Sequence, residues 1–449
     1  MRDIRRPQLD LFVQYPTHNL GQELKKISEI LERHPEFTEW VHADLCSNIS
    51  ECGDNGMTSE QVLRSGILKQ LRQWSYEEMA FQLEDSESTQ AFLFLGHNEC
   101  YRSSCLQSNV KLVSEQTWDK IHLQLLEHSK TTGMETGKRV RTDSTVVESN
   151  IHHPTDSTLI YDCLRILLRE FKKTRDIARK KHWRFSVSIK DVKSLIFKIR
   201  NCKNNGARRP HYKKLIKIAE KAQKQLNDFL PKLEKVIWKS FSPVLEEKLE
   251  VLQTLQEQLD KIIYQADRRV IQGKKVKVKN KIVSVVEPHT DIIVKDGRDT
   301  YFGHKIFITS GQSNLVLDCQ VTRGNSNDKD MFLKCLDEVI KKCGRVPLQV
   351  SADGGFASQE NVREAKEKGV RDVCFGKPCG MKITDMVKST WVFNKLRNWR
   401  AGIEGIISFL KRGYGLGVCN WKGFSGFCCY VKSAIVTYNL TIMARYELQ

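Results

Sequence analysis

Residues 399–412, WRAGIEGIISFLKR, have the pattern of a helix with one buried side. At about 100° per residue, a stripe roughly 60° wide collects Arg397, Arg400, Glu404 and Lys411. The predicted buried side is apolar and consists of Ile403, Ile406, Ile407 and Leu410. Taken alone, an acid flanked by cations is typical of a solvated salt-bridge surface. Two aspartates earlier in the chain favour a functional interpretation of the stripe.

The first is Asp143, within residues 141–147, RTDSTVV, where apolar and polar residues alternate as in a strand over residues 137–149. Aspartate is depleted in strands, so Asp143 is either satisfied by local hydrogen bonds or placed there for chemistry. The second is Asp353, which follows a predicted strand at residues 347–352 and precedes Gly354-Gly355. That segment could be a plain turn. In an α/β sheet, however, the carboxyl end of a strand is where sites form.

Charge is the most informative feature of the composition. The 449 residues carry a formal net charge of +19, and the length allows two to four domains. Such an excess of cations favours a polyanionic partner, in most cases nucleic acid, over an acidic membrane surface. No run of 18 apolar residues and no signal peptide are recognisable, so we expect a cytoplasmic protein without a membrane partner.

The cysteines do not predict a metal site. Fourteen are present without a Cys-x-x-Cys pair, and the spacing of His97, Cys100 and Cys105 fits no zinc finger or ribbon. We expect buried free thiols instead.

The first part of the chain is predicted to be helical. Residues 1–56 form an N-terminal helical segment, and residues 57–135 form several short helices, two of them opened by the capping boxes Thr58-x-x-Gln61 and Ser75-x-x-Glu78. In a basic protein this favours a helix-turn-helix-like DNA-binding region, with a generic helical bundle as the alternative.

Residues 156–280 are predicted to be a basic helical block. Six cations concentrate near its start: Lys172, Lys173, Arg179, Lys180, Lys181 and Arg184. They indicate a track for the phosphate backbone, although a solvated helical face is the alternative. Leucines and isoleucines from Leu245 to Ile262 recur every three or four residues, which predicts a helical hairpin or coiled-coil arm.

Residues 281–415 return to strands. Strands are predicted at 282–286 and 291–294, a hairpin at 301–309 and 315–321, a helix at 330–342, a helix from Ser358 to Gly369, and a last strand at 370–375. Alternating strands and helices predict an α/β fold. The tail, residues 416–449, is apolar and is expected to be a packed helix.

Three segments together resemble the insertion-sequence DDE transposases, which have an RNase H-like catalytic domain, and are most similar to the ISNCY-type group. They are residues 142–148, TDSTVVE, residues 352–356, ADGGF, and Arg400, Glu404 and Lys411. Residues 287–291 and 301–305 extend the resemblance. Arg397 stands where a wider bacterial DDE motif has a tyrosine.

The resemblance implies an α/β architecture with a helical insertion. Residues 136–155 and 281–415 would form the RNase H-like domain, with the insertion at 156–280 accounting for the long separation of the two aspartates. It implies that Asp143, Asp353 and Glu404 are catalytic and hold two Mg²⁺ ions, for which Mn²⁺ can substitute. Clustered carboxylates repel unless cations lie between them, and hard divalent ions with oxygen ligands meet that need.

The implied reaction has two steps, cutting at transposon ends by water and attack of the new 3′-hydroxyl on target DNA. The implied partner is double-stranded DNA, comprising terminal inverted repeats and target, bound by a homodimer at the bacterial nucleoid. Arg397, Arg400 and Lys411 would contact DNA phosphates. Two alternatives remain, a nuclease without strand transfer and a non-catalytic DNA-binding protein derived from a transposase.

Overall fold

The structure is a computed structural model, and it describes residues 3–5, 15–47, 56–96, 99–295 and 299–449. The chain divides into two compact units, one formed by Met1–Asn150 and Gly303–Gln449 and the other by Ile151–Phe302. Parts of the predicted segment 1–56, and His97, lie outside the described residues.

In the described residues up to Ser149, the first unit has seven helices and one strand. They are α1 (Asn19–Glu32), α2 (Glu36–Cys46), α3 (Ser59–Arg72), α4 (Tyr76–Asp85), α5 (Glu87–Leu93), α6 (Ser103–Val110), α7 (Glu115–Thr131) and β1 (Arg139–Ser149). Both predicted capping boxes are present: Thr58 accepts from the Gln61 amide and Ser75 accepts from the Glu78 amide.

α3 occupies the interior of these helices. Nearly all of its side chains are buried, and it packs against α2, α6 and the last helix of the chain. A helix buried on every side cannot present a face to a DNA groove. The DNA-binding function predicted for residues 57–135 therefore stays a prediction, and α3 is not its recognition helix.

The second unit is mostly helical. It contains α8 (Asp156–Ile177), α9 (Ile189–Asn201), α10 (Asn205–Ser240), α11 (Pro243–Ala266) and the short strand β2 (Asp291–Lys295). α10 and α11 pack as a hairpin, and α11 also packs against α8. The predicted apolar stripe from Leu245 to Ile262 contributes to the core of this unit, with Leu252, Leu259 and Ile262 fully buried.

The predicted strand at residues 282–286 is wrong, because this segment is irregular. Val283 and Val285 are buried, as a strand would require, but the backbone bonds to a side chain instead of a neighbouring strand. The Gln265 carboxamide accepts from the Ile282 amide at 3.0 Å and donates to the Ile282 carbonyl at 3.4 Å. The amide and carbonyl of Ile282 therefore have a side-chain partner in place of a neighbouring strand.

The C-terminal half supplies the remaining elements. They are β3 (Asp299–Ser310), β4 (Val316–Val321), α12 (Asp328–Cys343), β5 (Gln349–Ala352), α13 (Gln359–Glu367), β6 (Asp372–Phe375), α14 (Ile383–Met386), α15 (Thr390–Gly413), β7 (Val418–Cys419) and α16 (Gly423–Glu447). The predicted hairpin, the helices and the last strand of residues 301–375 are present within a few residues of their expected bounds.

The strands form one mixed seven-stranded sheet with the order β2-β3-β1-β5-β6, in which β4 also pairs with β3 and β7 with β1. β1 is central: it runs antiparallel to β3 and parallel to β5, and β6 runs parallel to β5. The fold is therefore mixed α/β. This topology puts the middle of β1 beside the carboxyl end of β5, and the carboxyl end of β6 lies on the other side of β5.

α16 is the apolar centre of the first unit. It packs against α1, α3, α7 and β4. Within the described residues, it is the helix whose length and composition would also suit a membrane crossing, but 94% of its most apolar window is buried inside the fold. That burial is what a core helix shows.

Candidate active site

Asp143 lies in the middle of the central strand. Its main chain is opposite Ile308 of β3, and its Oδ1 atom accepts a 2.7 Å hydrogen bond from the Ser144 amide. The side chain is 17% exposed. The ladder on both sides of β1 fixes the position of this carboxylate, which leaves its second oxygen directed at other partners.

Asp353 follows β5 directly. It precedes a short 3-10 turn at Gly354–Phe356, and its side chain is 53% exposed. Gly376, at the end of the adjacent strand β6, is close by: a Cβ atom there would lie 3.2 Å from Asp353 Oδ1 and 3.6 Å from Arg400 Nε. The absence of a side chain at residue 376 leaves room for the aspartate.

Arg400 and Glu404 lie on α15, which packs against β1, β5 and β6. Ser389 caps its first turn by accepting from the Val392 amide at 3.3 Å. Ile403, Ile406 and Leu410 are buried as predicted, whereas Ile407 is only half-buried and Glu404 is 64% exposed. The amphipathic pattern thus sets the rotation of the helix and aims Arg400 and Glu404 at the ends of the strands.

One guanidinium connects all three acids. Arg400 Nη1 lies 3.6 Å from both Asp143 Oδ2 and Asp353 Oδ1, and Arg400 Nη2 donates to Glu404 Oε1 at 3.1 Å. The two contacts to Nη1 limit the separation of the aspartate oxygens to twice 3.6 Å. Three carboxylates that are far apart in the sequence therefore lie around a single cation.

Arg141 fixes the helix to the strand, and the sequence pattern did not single it out. Its guanidinium is buried, stacks on Trp399 at 4.7 Å, and donates to the Trp399 carbonyl at 2.7 Å, to Asn314 Oδ1 at 2.6 Å and to Ser310 Oγ at 3.0 Å. The signal was its position two residues before Asp143, because residues i and i+2 of a strand share a face.

Gly402 makes this docking possible. A Cβ atom at residue 402 would lie 2.3 Å from Arg141 Nη1. Glycine at residue 402 of α15 therefore leaves room for the Arg141 side chain of β1. The packing of Arg141 against Gly402 sets the distance between Asp143 and the turn of α15 that carries Arg400.

The donor set suits a hard divalent cation, because carboxylate oxygens are the ligands that Mg²⁺ prefers. Its present spacing is different: within the described ranges, no three or more His, Cys, Asp or Glu side chains are grouped closely enough to hold a metal ion. The three acids surround Arg400, whose guanidinium supplies the positive charge between them. Buried thiols nearby are poor nucleophiles, since burial raises the pKa of Cys374 to about 11.

The remaining predicted residues of α15 lie at different depths. Arg397 is exposed one turn before Arg400, and Lys411 is half-buried toward the end of the helix. Arg400 lies among the three carboxylates, and its predicted contact with DNA phosphates stays a prediction.

The predicted phosphate track is at the end of α8 and in the loop that follows it. Lys172, Lys173, Arg179, Lys181 and Arg184 are exposed and Lys180 is half-buried. The aromatic residues interleaved with them are core residues instead: Phe171 and Trp183 pack on Phe229 at 4.8 and 4.9 Å. The aromatic core orders this basic surface without taking part in it.

The helical unit also contains a cavity of about 740 Å³. Its lining includes His152, His153, Tyr161, Lys193 and Arg200. His152 Nε2 lies 3.1 Å from Asp162 Oδ2, and His153 meets Phe302 edge-on at 5.6 Å. Each histidine thus has a protein partner.

Comparison with known proteins finds a family match for part of the chain. Residues 287–440 match the family described as Transposase DDE domain. The matched region contains Asp353, Arg400 and Glu404 and excludes Asp143. No curated protein matches the chain, and no solved structure does. The match supports a transposase of the DDE family, in agreement with the mixed α/β fold.

Proposed function

We propose that this chain is an insertion-sequence DDE transposase of the ISNCY-type group, with Asp143, Asp353 and Glu404 as its catalytic acids. One observation carries the proposal: these three carboxylates, from a strand, a strand end and a helix, all contact the guanidinium of Arg400. The family match over residues 287–440 supports it independently.

The RNase H-like description of residues 136–155 and 281–415 is part of the proposal, as is the helical insertion at 156–280. It is supported by an aspartate on the central strand, another at the end of the neighbouring parallel strand, and a glutamate on the helix that packs against both.

Asp143, Asp353 and Glu404 would hold two Mg²⁺ ions, or Mn²⁺ in their place. When bound, the ions would supply Lewis acidity toward the attacking and leaving oxygens of a phosphodiester. The protein's own contribution is rigidity: the β1 ladder and the Arg141–Gly402 contact hold strand and helix in register.

The reaction proceeds in two displacements. In the first, a water oxygen bonds to phosphorus at the transposon end, the 3′-oxygen leaves and takes up a proton, and the other product carries a 5′-phosphate. In the second, the freed 3′-hydroxyl loses its proton, attacks a target phosphodiester and displaces the target 3′-oxygen. One P–O bond forms as one breaks in each step, so no external energy source is required.

The partner would be double-stranded DNA at the bacterial nucleoid in the cytoplasm, bound by a homodimer. Exposed cations support it: Lys172, Lys173, Arg179, Lys181 and Arg184 on the helical unit, and Arg397 on α15. The net charge of +19 favours such a polyanion.

A cleavage and joining assay tests the proposal. The full-length protein is incubated with Mg²⁺, target plasmid and the DNA that flanks its gene. We expect nicked ends and covalently joined products, both lost in Asp143→Asn, Asp353→Asn and Glu404→Gln while DNA binding persists. Cleavage without joined products would favour a nuclease. Activity that survives all three substitutions would refute the assignment.

A further inference from the structure

Arg400 makes one hydrogen bond to the acids and two longer ionic contacts. Its two contacts to the aspartates, at 3.6 Å, are longer than hydrogen bonds, and only Glu404 is within hydrogen-bonding distance. Arg400 Nε is buried without a hydrogen-bond partner. A guanidinium that leaves one of its donors unused is held mainly by the charge of its surroundings.

The charges at this point are unbalanced. One guanidinium faces three carboxylates, and its side chain is 15% exposed whereas those of Asp353 and Glu404 are more than half exposed. Clustered carboxylates repel one another unless a cation lies between them. Arg400 supplies that cation, because its guanidinium lies within 3.6 Å of an oxygen of each acid.

A divalent cation would need the same oxygens. Asp143 Oδ2 and Asp353 Oδ1 are the atoms that Arg400 Nη1 faces. The apparent affinity for a metal falls with the fraction of protein molecules whose carboxylates are free to bind it. A guanidinium that occupies the carboxylates lowers that fraction and therefore lowers the apparent affinity for the metal.

We propose that Arg400 is an internal competitor of the metal: it occupies the three carboxylates in the resting protein, and metal binding displaces it. This inference rests on the proposed function, because it assumes that the acids hold a divalent cation. The displaced guanidinium is then free to bind a DNA phosphate, and metal and DNA favour each other's binding by reciprocal coupling.

Mn²⁺ binding to the full-length protein, measured by calorimetry without DNA, tests the competition. Arg400→Gln removes the competing charge and should bind Mn²⁺ at least about tenfold more tightly than the wild type, since a neighbouring opposite charge typically shifts such equilibria by one or more powers of ten. Arg400→Lys, which cannot span three carboxylates with one ammonium group, should give a smaller gain.

Arg397→Gln is the matched control. It removes the same charge from an exposed position one turn earlier on α15 and should leave the Mn²⁺ affinity within about twofold, since exposed charges are screened. Circular dichroism of each variant establishes that it is folded, and Arg400→Lys provides the test if Arg400→Gln is not.

The outcomes separate this inference from the proposed function. Equal or weaker Mn²⁺ binding by Arg400→Gln and Arg400→Lys overturns the competition, provided that the wild type binds Mn²⁺ and Asp143→Asn does not. An equal gain in Arg397→Gln also overturns it, because general charge would then be the cause. If no variant and no wild-type protein binds Mn²⁺, the proposed metal site fails and the inference fails with it.

Discussion

Two glycines of α15 should respond oppositely to the same substitution. In the middle of a helix, replacing glycine by alanine typically stabilises a protein by about 0.5–1 kcal/mol. Gly405 has open space around a built Cβ atom, so Gly405→Ala should show this gain in full. Gly402→Ala would raise the helix propensity by the same amount, but it would also place a methyl group 2.3 Å from Arg141 Nη1.

The magnitude follows from what the arginine loses. To make room, the guanidinium must move away from the Trp399 carbonyl, to which Nη1 donates at 2.7 Å. A hydrogen bond from a charged group contributes about 1.5–3 kcal/mol. After subtraction of the gain in propensity, Gly402→Ala should lower the free energy of unfolding by about 1–2 kcal/mol.

Urea unfolding of the full-length protein measures both substitutions. Repeating the Gly402→Ala measurement in an Arg141→Met protein tests whether the arginine causes the destabilisation. In Arg141→Met the methyl group at residue 402 has no guanidinium to displace, so Gly402→Ala should become as stabilising as Gly405→Ala. If Gly402→Ala stabilises the wild-type protein as much as Gly405→Ala does, Arg141 does not fix α15 to β1 and the reasoning is refuted.

Three further predictions follow from other parts of the chain. Burial lowers the pKa of His122 to about 3, so His122 is neutral in the folded protein, and the folded protein loses stability as the pH falls below about 6.5, by at most about 1.4 kcal/mol per pH unit. Between pH 7 and pH 5 the free energy of unfolding in urea should therefore change less in His122→Gln than in the wild type, and an equal change in both would contradict this. Phe229→Ala opens a cavity in the aromatic core of the helical unit and should cost about 3–5 kcal/mol in chemical denaturation, whereas Trp238→Ala, 79% exposed on the same helix, should cost under about 0.5 kcal/mol. If the basic track binds phosphates, the combined change of Lys172, Lys181 and Arg184 to glutamine should reduce the slope of log affinity against log salt by about 2–3 in fluorescence anisotropy, and an unchanged slope would exclude the track.

Local signals predicted the elements that depend on local chemistry. The capping boxes at Thr58 and Ser75, the hairpin of residues 301–321 and the buried stripe of α15 all follow from a few neighbouring residues, and the structure contains each of them. Residues 282–286 were predicted wrongly because Val283 and Val285 are buried as in a strand, but the backbone of Ile282 bonds to the Gln265 side chain of α11 and not to a neighbouring strand.

The candidate site could be predicted only in part. The acids were recognisable because an aspartate within a strand and another at a strand end are unusual placements. The position of Arg400 among those acids, the docking of Arg141 and the need for glycine at residues 402 and 376 depend on the distance between a strand and a helix that are remote in the sequence. The sequence pattern within the strand or the helix cannot predict the distance between the two elements.

The most direct test of the central claim is iron-directed cleavage of the protein backbone. Fe²⁺ bound in place of Mg²⁺, with ascorbate and peroxide, generates radicals that cut the chain close to the ion. If Asp143, Asp353 and Glu404 share one metal site, cuts should appear near all three residues at once, be suppressed by excess Mg²⁺ and disappear together in Asp143→Asn. Cuts near only one of them, or a pattern that Asp143→Asn leaves unchanged, would contradict the account.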